Sequence, residues 1–357
     1  MHVALLSAAN SVHTQKIANA LCERGYRVTL FSLPNHADQD NAYDKSIQIK
    51  YLHTPGIKGY IFNAGELRRL LLQDDIDILN AHYASGYGTL AGGIGFRPYV
   101  LSVWGSDVYD FPYEGWIKRA LLKRNLRKAD LLLSTSQCMA GQTEKFVRDK
   151  EIIVTPFGVD TTIFAPLDAS THEEIRIGFI KGVSEKYGIE YLIRAFGKAI
   201  RACVNQKLHL YVYGDGNQME AMESLVDELK ITANVTFYGR IPHTAVPSVL
   251  NKMDIFCVPS TLDSESFGVS AVEAMACGIP CITSDVAGLS EVMVNGETGY
   301  IVPRKDVDAL ADKIIELVMN PQMRTIMGKN GRKRVMQYYE WNKCVDKIIG
   351  AYKKITS

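Results

Sequence analysis

Short apolar, β-rich runs alternate with helical patterns along almost the whole chain, and few architectures accommodate such an arrangement. In the first half the runs are Val3–Leu6, Arg27–Phe31, Ile47–Leu52, Ile76–Ala81, Tyr99–Val103, Leu131–Ser134 and Ile152–Thr155. Helical candidates such as Thr14–Arg24, Ala64–Gln73 and Ile117–Arg127 lie between them. The second half repeats the scheme with Ile175–Ile180, Leu208–Tyr213, Val235–Phe237, Ile255–Val258 and Cys281–Ser284. It closes on helical patterns at Val307–Met319, Gln322–Gln337 and Trp341–Lys354. Strand–helix–strand alternation predicts an α/β protein with parallel sheets, covered by helices on both faces. Residues 156–170 carry turn formers and no helical period. The expectation is therefore two doubly wound domains, 1–160 and 161–357, facing each other across a cleft. Ligands of such sheets sit beyond the carboxyl ends of the strands.

Charge narrows the function classes. The 357 residues hold 40 Lys+Arg and 39 Asp+Glu, a formal net charge of +1. The balance is even along the chain, with 18 basic and 17 acidic residues in 1–170 and 22 of each in 171–357. A nucleic-acid partner, which calls for a basic footprint, is not expected. The seven cysteines form no C-x-x-C, so neither a zinc knuckle nor a redox pair is signalled, and small buried thiols in a reducing compartment are the expectation. No secretory signal opens the sequence, and no apolar stretch approaches the roughly 20 residues that span a bilayer. These features predict a soluble, cytoplasmic protein, peripheral to a membrane at most.

The segment Pro259–Pro280 carries the densest chemistry. A buried strand ends at Pro259, a polar loop follows, and a helix starts near Gly268. The free N–H groups of such a helix start suit a phosphate or a sugar hydroxyl. Glu265 lies just before the helix and Glu273 inside it, among Val269, Ala271, Val272, Ala274 and Met275. Buried acids need partners, and these two carboxylates can hold two ends of one extended ligand. A second strand–loop–helix turn, from Gly178 to Ile193, carries Lys181 and Lys186, which can neutralise a departing diphosphate or simply be solvated. Gly214-Asp215-Gly216 follows another strand but lacks the third glycine of a dinucleotide fingerprint, because residue 219 is Met.

In the first half, His82 ends one strand and Trp104-Gly105-Ser106-Asp107 another. His82 can bind a hydroxyl, act as a base or be a satisfied structural histidine. Asp107 can orient an acceptor hydroxyl or cap the next helix. His13, in Asn10-Ser11-Val12-His13, sits at the first strand–helix turn, where the segment can meet phosphate or acceptor or merely cap the helix. Lys118, Arg119, Lys123, Arg124, Arg127 and Lys128 follow one another without an acid. They can hold an anionic lipid surface; spread around most of a helical wheel, they also read as a solvated helix.

Glu265 and Glu273 within E-S-F-G-x-x-x-x-E-A-M-A-C-G-x-P resemble the E-x7-E motif of the retaining GT-B glycosyltransferases of family four. The linker Pro156-Phe-Gly-Val-Asp160, with Phe164 and Pro166, resembles that family's P-x-G-V-D-x-x-x-F-x-P. The turn from Glu291 through Gly296 to Gly299 resembles its E-x-x-x-x-G-x-x-G. The resemblance implies a nucleotide-sugar donor, UDP-linked, held by the C-terminal domain, and a glycan or lipid-linked acceptor in surface polysaccharide or lipid-linked glycan synthesis. Glu265 with Phe267, Gly268 and Val269 would receive the donor sugar, and Glu273 the ribose. Lys186 matches the phosphate-binding lysine, Lys181 replaces the usual arginine, and the loop with Gly239 and Arg240 would contact the base, near Gly214. The resemblance implies no cofactor and no metal, and a C-terminal helix, about 340–357, that packs back on the N-terminal domain. Two positions depart from the pattern. The first turn reads Ala8-Ala9-Asn10-Ser11 where a double glycine is common, and Trp104 stands where H-G-x-D has histidine. The alternatives are a non-catalytic nucleotide-sugar sensor and a sugar-nucleotide epimerase; the latter needs a glycine fingerprint that Leu6–Asn10 does not provide.

Overall fold

The computed structural model of the chain describes residues 1–39, 41–167 and 173–356. The part of the connecting segment at 168–170 lies outside the described residues. Two compact units are present, Met1–Phe157 with Cys344–Ser357, and Gly158–Lys343.

In unit 1 the order is β1 (His2–Leu6), α1 (Val12–Glu23), β2 (Arg27–Ser32), β3 (Gln48–Tyr51), α2 (Gly56–Phe62), α3 (Ala64–Gln73), β4 (Ile78–His82), α4 (Tyr87–Ile94), β5 (Tyr99–Val103), α5 (Ser106–Tyr109), α6 (Trp116–Lys128), β6 (Leu131–Ser134), α7 (Gln137–Glu144) and β7 (Ile152–Val154). The seven strands form a parallel sheet in the order β3-β2-β1-β4-β5-β6-β7. Strands buried on both faces must be apolar throughout rather than alternating. Val3–Leu6 accordingly have no exposed surface. The run predicted to begin at Ile76 enters the sheet only at Ile78. Asp75 adopts a positive φ of 50°, and the amide of Ile76 turns back to the Leu71 carbonyl, which closes α3 rather than extending the strand.

Unit 2 repeats the plan with β8 (Ile175–Ile180), α8 (Ile189–Ala202), β9 (Leu208–Tyr213), α9 (Met219–Glu228), β10 (Val235–Gly239), α10 (Val246–Leu250), β11 (Ile255–Val258), α11 (Val269–Ala276), β12 (Cys281–Ser284), α12 (Ala287–Val292), β13 (Gly299–Val302), α13 (Val307–Met319) and α14 (Pro321–Tyr338). Its six parallel strands run β10-β9-β8-β11-β12-β13. Helix α8 shows why the sequence folds this way. Ile189, Leu192, Ile193, Phe196 and Ala199 recur at helical spacing and are all buried. Burying a side chain such as Phe196 contributes about 2–3 kcal/mol. Asp306 and Asn320 start α13 and α14 by accepting from the amides of Ala309 (2.9 Å) and Met323 (3.0 Å).

Helix α15 (Trp341–Thr356) ends the chain. From Cys344 onward it belongs to unit 1, where the buried Tyr352 hydroxyl donates to Asn80 Oδ1 at 2.8 Å. All seven cysteines are free thiols, five of them buried. Among the described residues no helix is long and apolar enough to cross a membrane.

The order in which strands are added reverses beside the first strand of each sheet, at β1/β4 in unit 1 and β8/β11 in unit 2. In doubly wound folds the crevice for ligands opens at that switch point, beyond the carboxyl ends.

Candidate active site

In unit 2 the switch point brings together the loops after β8 and β11. Gly188 begins α8 with a φ of 67°, and a Cβ there would lie 2.0 Å from the Pro259 carbonyl oxygen. Only glycine allows this approach. Thr261 fastens the same junction, its amide donating to the Lys186 carbonyl (2.8 Å) and its hydroxyl to that of Glu185 (2.9 Å). The lysine turn and the glutamate loop are thereby one stitched surface.

On that surface Lys181 Nζ meets Glu265 Oε1 at 2.8 Å, both side chains nearly withdrawn from solvent. Lys186 Nζ donates to the Ser264 carbonyl at 3.2 Å. The Tyr187 ring lies 5.1 Å from Lys181 Nζ and 5.5 Å from Lys186 Nζ, a cation–π contact with each. Gly268 caps α11 in the left-handed conformation, and a Cβ would press on Leu289 at 2.4 Å. The first amides of α11, from Val269 on, follow this cap, and a helix leaves such amides without intrahelical partners. The hydroxyls of Ser264 and Ser270, in the same segment, are buried and without a hydrogen-bond partner. Such orphans in a folded protein call for an explanation, a bound molecule among them.

The buried Glu273 has a partner that the sequence reading did not single out. His243 Nε2 lies 2.8 Å from Glu273 Oε1. The only available signal was its place just after the Gly239–Pro242 loop. A pocket of about 280 Å³ is lined by Lys181, Gly214, Asp215, Arg240, Ile241 and His243. Arg240 is exposed and makes no ion pair among the described residues. Gly214 is there for close packing, since a Cβ would fall 1.8 Å from the Lys181 carbonyl oxygen.

Unit 1 carries a cavity of about 690 Å³, walled by His13, His82, Tyr83, Trp104, Phe157, Ile57 and Tyr60 with a few polar groups such as Ser7 and Ser11. His13 stacks on Phe157 (centroids 3.9 Å apart, planes at 14°), and Trp104 lies 4.4 Å from His82 and 5.5 Å from Phe157. Aromatic walls with a few placed polar groups are the usual make-up of a ligand site.

Within this wall His82 is a satisfied core residue. Its ring nitrogens meet Ser7 Oγ and Asn80 Oδ1, each at 3.1 Å. Burial, helped by the nearby His13, pushes its pKa down to about 3, so the imidazole is neutral. Asp107 does not cap a helix but lies inside the short α5 and gathers the amides of the loops around it. Its carboxylate accepts from the amides of Ala84 (2.8 Å), Gly105 (2.8 Å) and Trp104 (3.1 Å). Burial raises its pKa while those amides oppose the shift. His13 and Trp104 remain as groups facing the cavity.

Two of the basic residues of α6 have partners within the chain. Lys118 pairs with Glu114, and the Arg119 guanidinium lies 5.7 Å from the Phe146 ring. Among the described residues no group of three or more His, Cys, Asp and Glu side chains is gathered as metal ligands.

Comparison with known proteins bears on this geometry. The family described as "Glycosyl transferases group 1" matches residues 165–334, and that described as "Glycosyl transferase 4-like" matches residues 2–136. The chain is 27% identical over 300 residues to the GDP-mannose-dependent alpha-(1-6)-phosphatidylinositol monomannoside mannosyltransferase of Mycolicibacterium smegmatis, covering 78% of this chain and 76% of that protein. Its fold superposes on sucrose-phosphate synthase from Thermosynechococcus elongatus with a TM-score of 0.85 at 22% identity, covering 99% and 98% of the two chains. Anabaena HepE, solved in complex with UDP, gives 0.82 at 16% identity over 99% and 100%.

Proposed function

As the chain belongs to the group 1 glycosyltransferases of family four, with the GT-B fold, we propose that it moves a hexosyl group from a UDP-sugar to an acceptor hydroxyl with retention of anomeric configuration. The observation that carries this reading is the Lys181–Glu265 pair at 2.8 Å, set beside Lys186 and the start of α11. A nucleoside diphosphate leaves with growing negative charge. Two ammonium groups and a helix start fixed in place stabilise that charge without reorganising at the moment of reaction. Glu265 and the backbone at Phe267–Gly268 receive the sugar hydroxyls, while Glu273, held by His243, receives the ribose. Arg240 contacts the base. In this scheme cations hold the diphosphate, so no metal is needed, and the leaving oxygen takes the acceptor proton on the same face of the sugar.

The acceptor belongs to unit 1. Ile57 (84% exposed), Ile61 (62%) and the neighbours Trp116 (80%) and Ile117 (64%) leave apolar surface in α2 and α6, elements that also line its cavity. That surface supports a lipid-linked glycan acceptor and peripheral contact with a membrane. The mannosyltransferase relative, named for a phosphatidylinositol mannoside, supports it too, although its GDP-mannose donor differs from the UDP proposed here.

The test is nucleotide release and product formation across UDP- and GDP-sugars, with the anomeric proton of the product read by NMR. Glu265→Ala and Lys186→Ala should each lower kcat/KM by roughly 100-fold or more, and a chelator should leave wild-type turnover unchanged. Wild-type turnover in either variant removes the assigned roles, and donor binding without nucleotide release identifies a sensor.

A further inference from the structure

The cavity of about 690 Å³ in unit 1 is lined by two unlike sets of residues. The loops that leave β1, β4 and β5 supply Ser7, Ser11, Tyr83 and Ser85 beside Trp104. Helices α2 and α6 supply Ile57, Tyr60, Ile61 and Leu121. Gly86 joins the two sets. A Cβ there would lie 2.7 Å from the Tyr60 ring, so α2 packs straight onto the loop that carries Tyr83. Among the described residues the lining holds no carboxylate, and its one ammonium, Lys118, is paired with Glu114. Burial lowers the pKa of both His36 and His82. Such a lining suits an uncharged ligand with one polar and one apolar end.

Tyr83 is the strained member of the polar set. It is 36% exposed and has a φ of 72°, which a bulky residue adopts only where its surroundings enforce it. The Tyr83 amide donates to the Ser102 carbonyl (3.0 Å), and its carbonyl accepts from the Gly88 amide (2.8 Å). The next amide, of Ala84, donates to the buried Asp107 carboxylate (2.8 Å), which also holds the amides of Trp104 and Gly105. One carboxylate therefore fixes both aromatic residues of this corner. Their rings lie 6.0 Å apart with planes at 76°, and the Tyr83 hydroxyl is 3.2 Å from Ser106 Oγ. A phenol that accepts from that serine can give its own proton to a ligand. Packing alone does not explain the tyrosine, because glycine or asparagine would fit this backbone at less cost.

We propose that the cavity seats a neutral amphiphilic glycoside, with one sugar ring against Trp104, the Tyr83 hydroxyl donating to a ring hydroxyl, and the apolar tail leaving past Ile57 and Ile61. This rests on the reading of unit 1 as the acceptor side, and narrows the acceptor to one whose ring is joined directly to an apolar chain. The C–H face of a pyranose packs on an indole, while its rim of hydroxyls needs hydrogen-bond partners, and the Tyr83–Trp104 corner offers both. The volume is that of an ordinary ligand pocket, enough for one ring and a length of alkyl chain. Ile57 and Ile61 line the cavity yet stay exposed, so its apolar side opens to solvent there.

Isothermal titration of the whole chain with hexyl glycosides of glucose, mannose, galactose and N-acetylglucosamine, against hexanol, tests the seat. At least one glycoside should bind more tightly than the alcohol, by about tenfold or more. Tyr83→Phe should weaken that glycoside roughly five- to tenfold and leave hexanol as it was. Ile57→Ser, at an exposed position, should instead reduce the affinity gained from propyl to hexyl glycoside. Tyr83→Asn suits the left-handed backbone, so its Tm should stay close to that of the wild type while glycoside binding falls further. Hexanol that binds as tightly as every glycoside, or Tyr83→Phe that binds the glycoside like the wild type, overturns the proposal. Nucleotide release is scored apart. A wild type that binds glycoside but releases no nucleotide from any donor removes the transferase reading and leaves this site standing; release without glycoside binding removes the site alone.

Discussion

A buried imidazole ties stability to pH, and His82 does so in unit 1. Its folded pKa is lowered to about 3, first by burial and then by His13, from an ordinary value of 6.5. Between those values the unfolded chain binds more protons than the folded one. The contribution is therefore complete above about pH 6.5 and is lost as pH falls toward 3. Lowering pH from 7 to 5 should reduce the free energy of urea unfolding by about 2 kcal/mol through this residue. His2 and His36, also held down chiefly by burial, add in the same direction. His82→Gln should flatten the pH dependence, whatever it does to stability at pH 7; equal slopes in both proteins would contradict the assignment. The same residue marks a limit of what was legible in the sequence. His82 at a strand end was compatible with base and core alike, because a sequence shows which groups can titrate but not what they face. His243 was missed for the converse reason. Its partner Glu273 is 30 positions along the chain, and no local pattern joins them.

At the scale of elements far more could be read. The apolar runs at Tyr99–Val103, Leu131–Ser134, Ile175–Ile180, Leu208–Tyr213, Ile255–Val258 and Cys281–Ser284 coincide with strands, because strands in the interior of a parallel sheet are mostly buried and read as apolar runs bounded by turn formers. The turns were less legible, since their geometry is set by what packs over them. Gly188 and Gly296 have similar positive φ values, 67° and 79°, yet a Cβ on Gly188 would strike the Pro259 carbonyl whereas one on Gly296 would meet nothing within 4 Å. Gly296→Ala should therefore cost only the left-handed strain, about 1–2 kcal/mol. Gly188→Ala must in addition part the lysine turn from the glutamate loop, moving Lys186 away from Ser264. It should lose donor affinity and kcat/KM well beyond what Gly296→Ala loses, measured by nucleotide titration and turnover. Matching losses in the two variants would show that the stitched junction does not position the lysines.

For the whole molecule, the chain path sets a dependence that the motifs leave open. Unit 1 is discontinuous in sequence, built from Met1–Phe157 and completed by residues from Cys344 on. Cys344, Val345, Ile348, Ile349 and Tyr352 are buried on one face of α15, an amphipathic spacing that predicts docking but not on what. Tyr352 supplies the answer, its hydroxyl donating to Asn80 in the centre of β4, beside the amide network that also engages His82 and Ser102. Tyr352→Ala removes a buried ring and one of the partners of Asn80 Oδ1, so a loss of about 3–5 kcal/mol is expected. Tyr352→Phe keeps the ring and should lose about 1–2 kcal/mol. Tyr352 belongs to unit 1 and the lysine–glutamate surface to unit 2, so nucleotide affinity should be unchanged in both variants. Hydrogen exchange locates the damage: protection should fall in β1, β4 and β5 and persist in β8, β9 and β11. Loss of protection spread equally over both sheets would show that the two units unfold as one cooperative body, and that the last helix stabilises the molecule rather than unit 1.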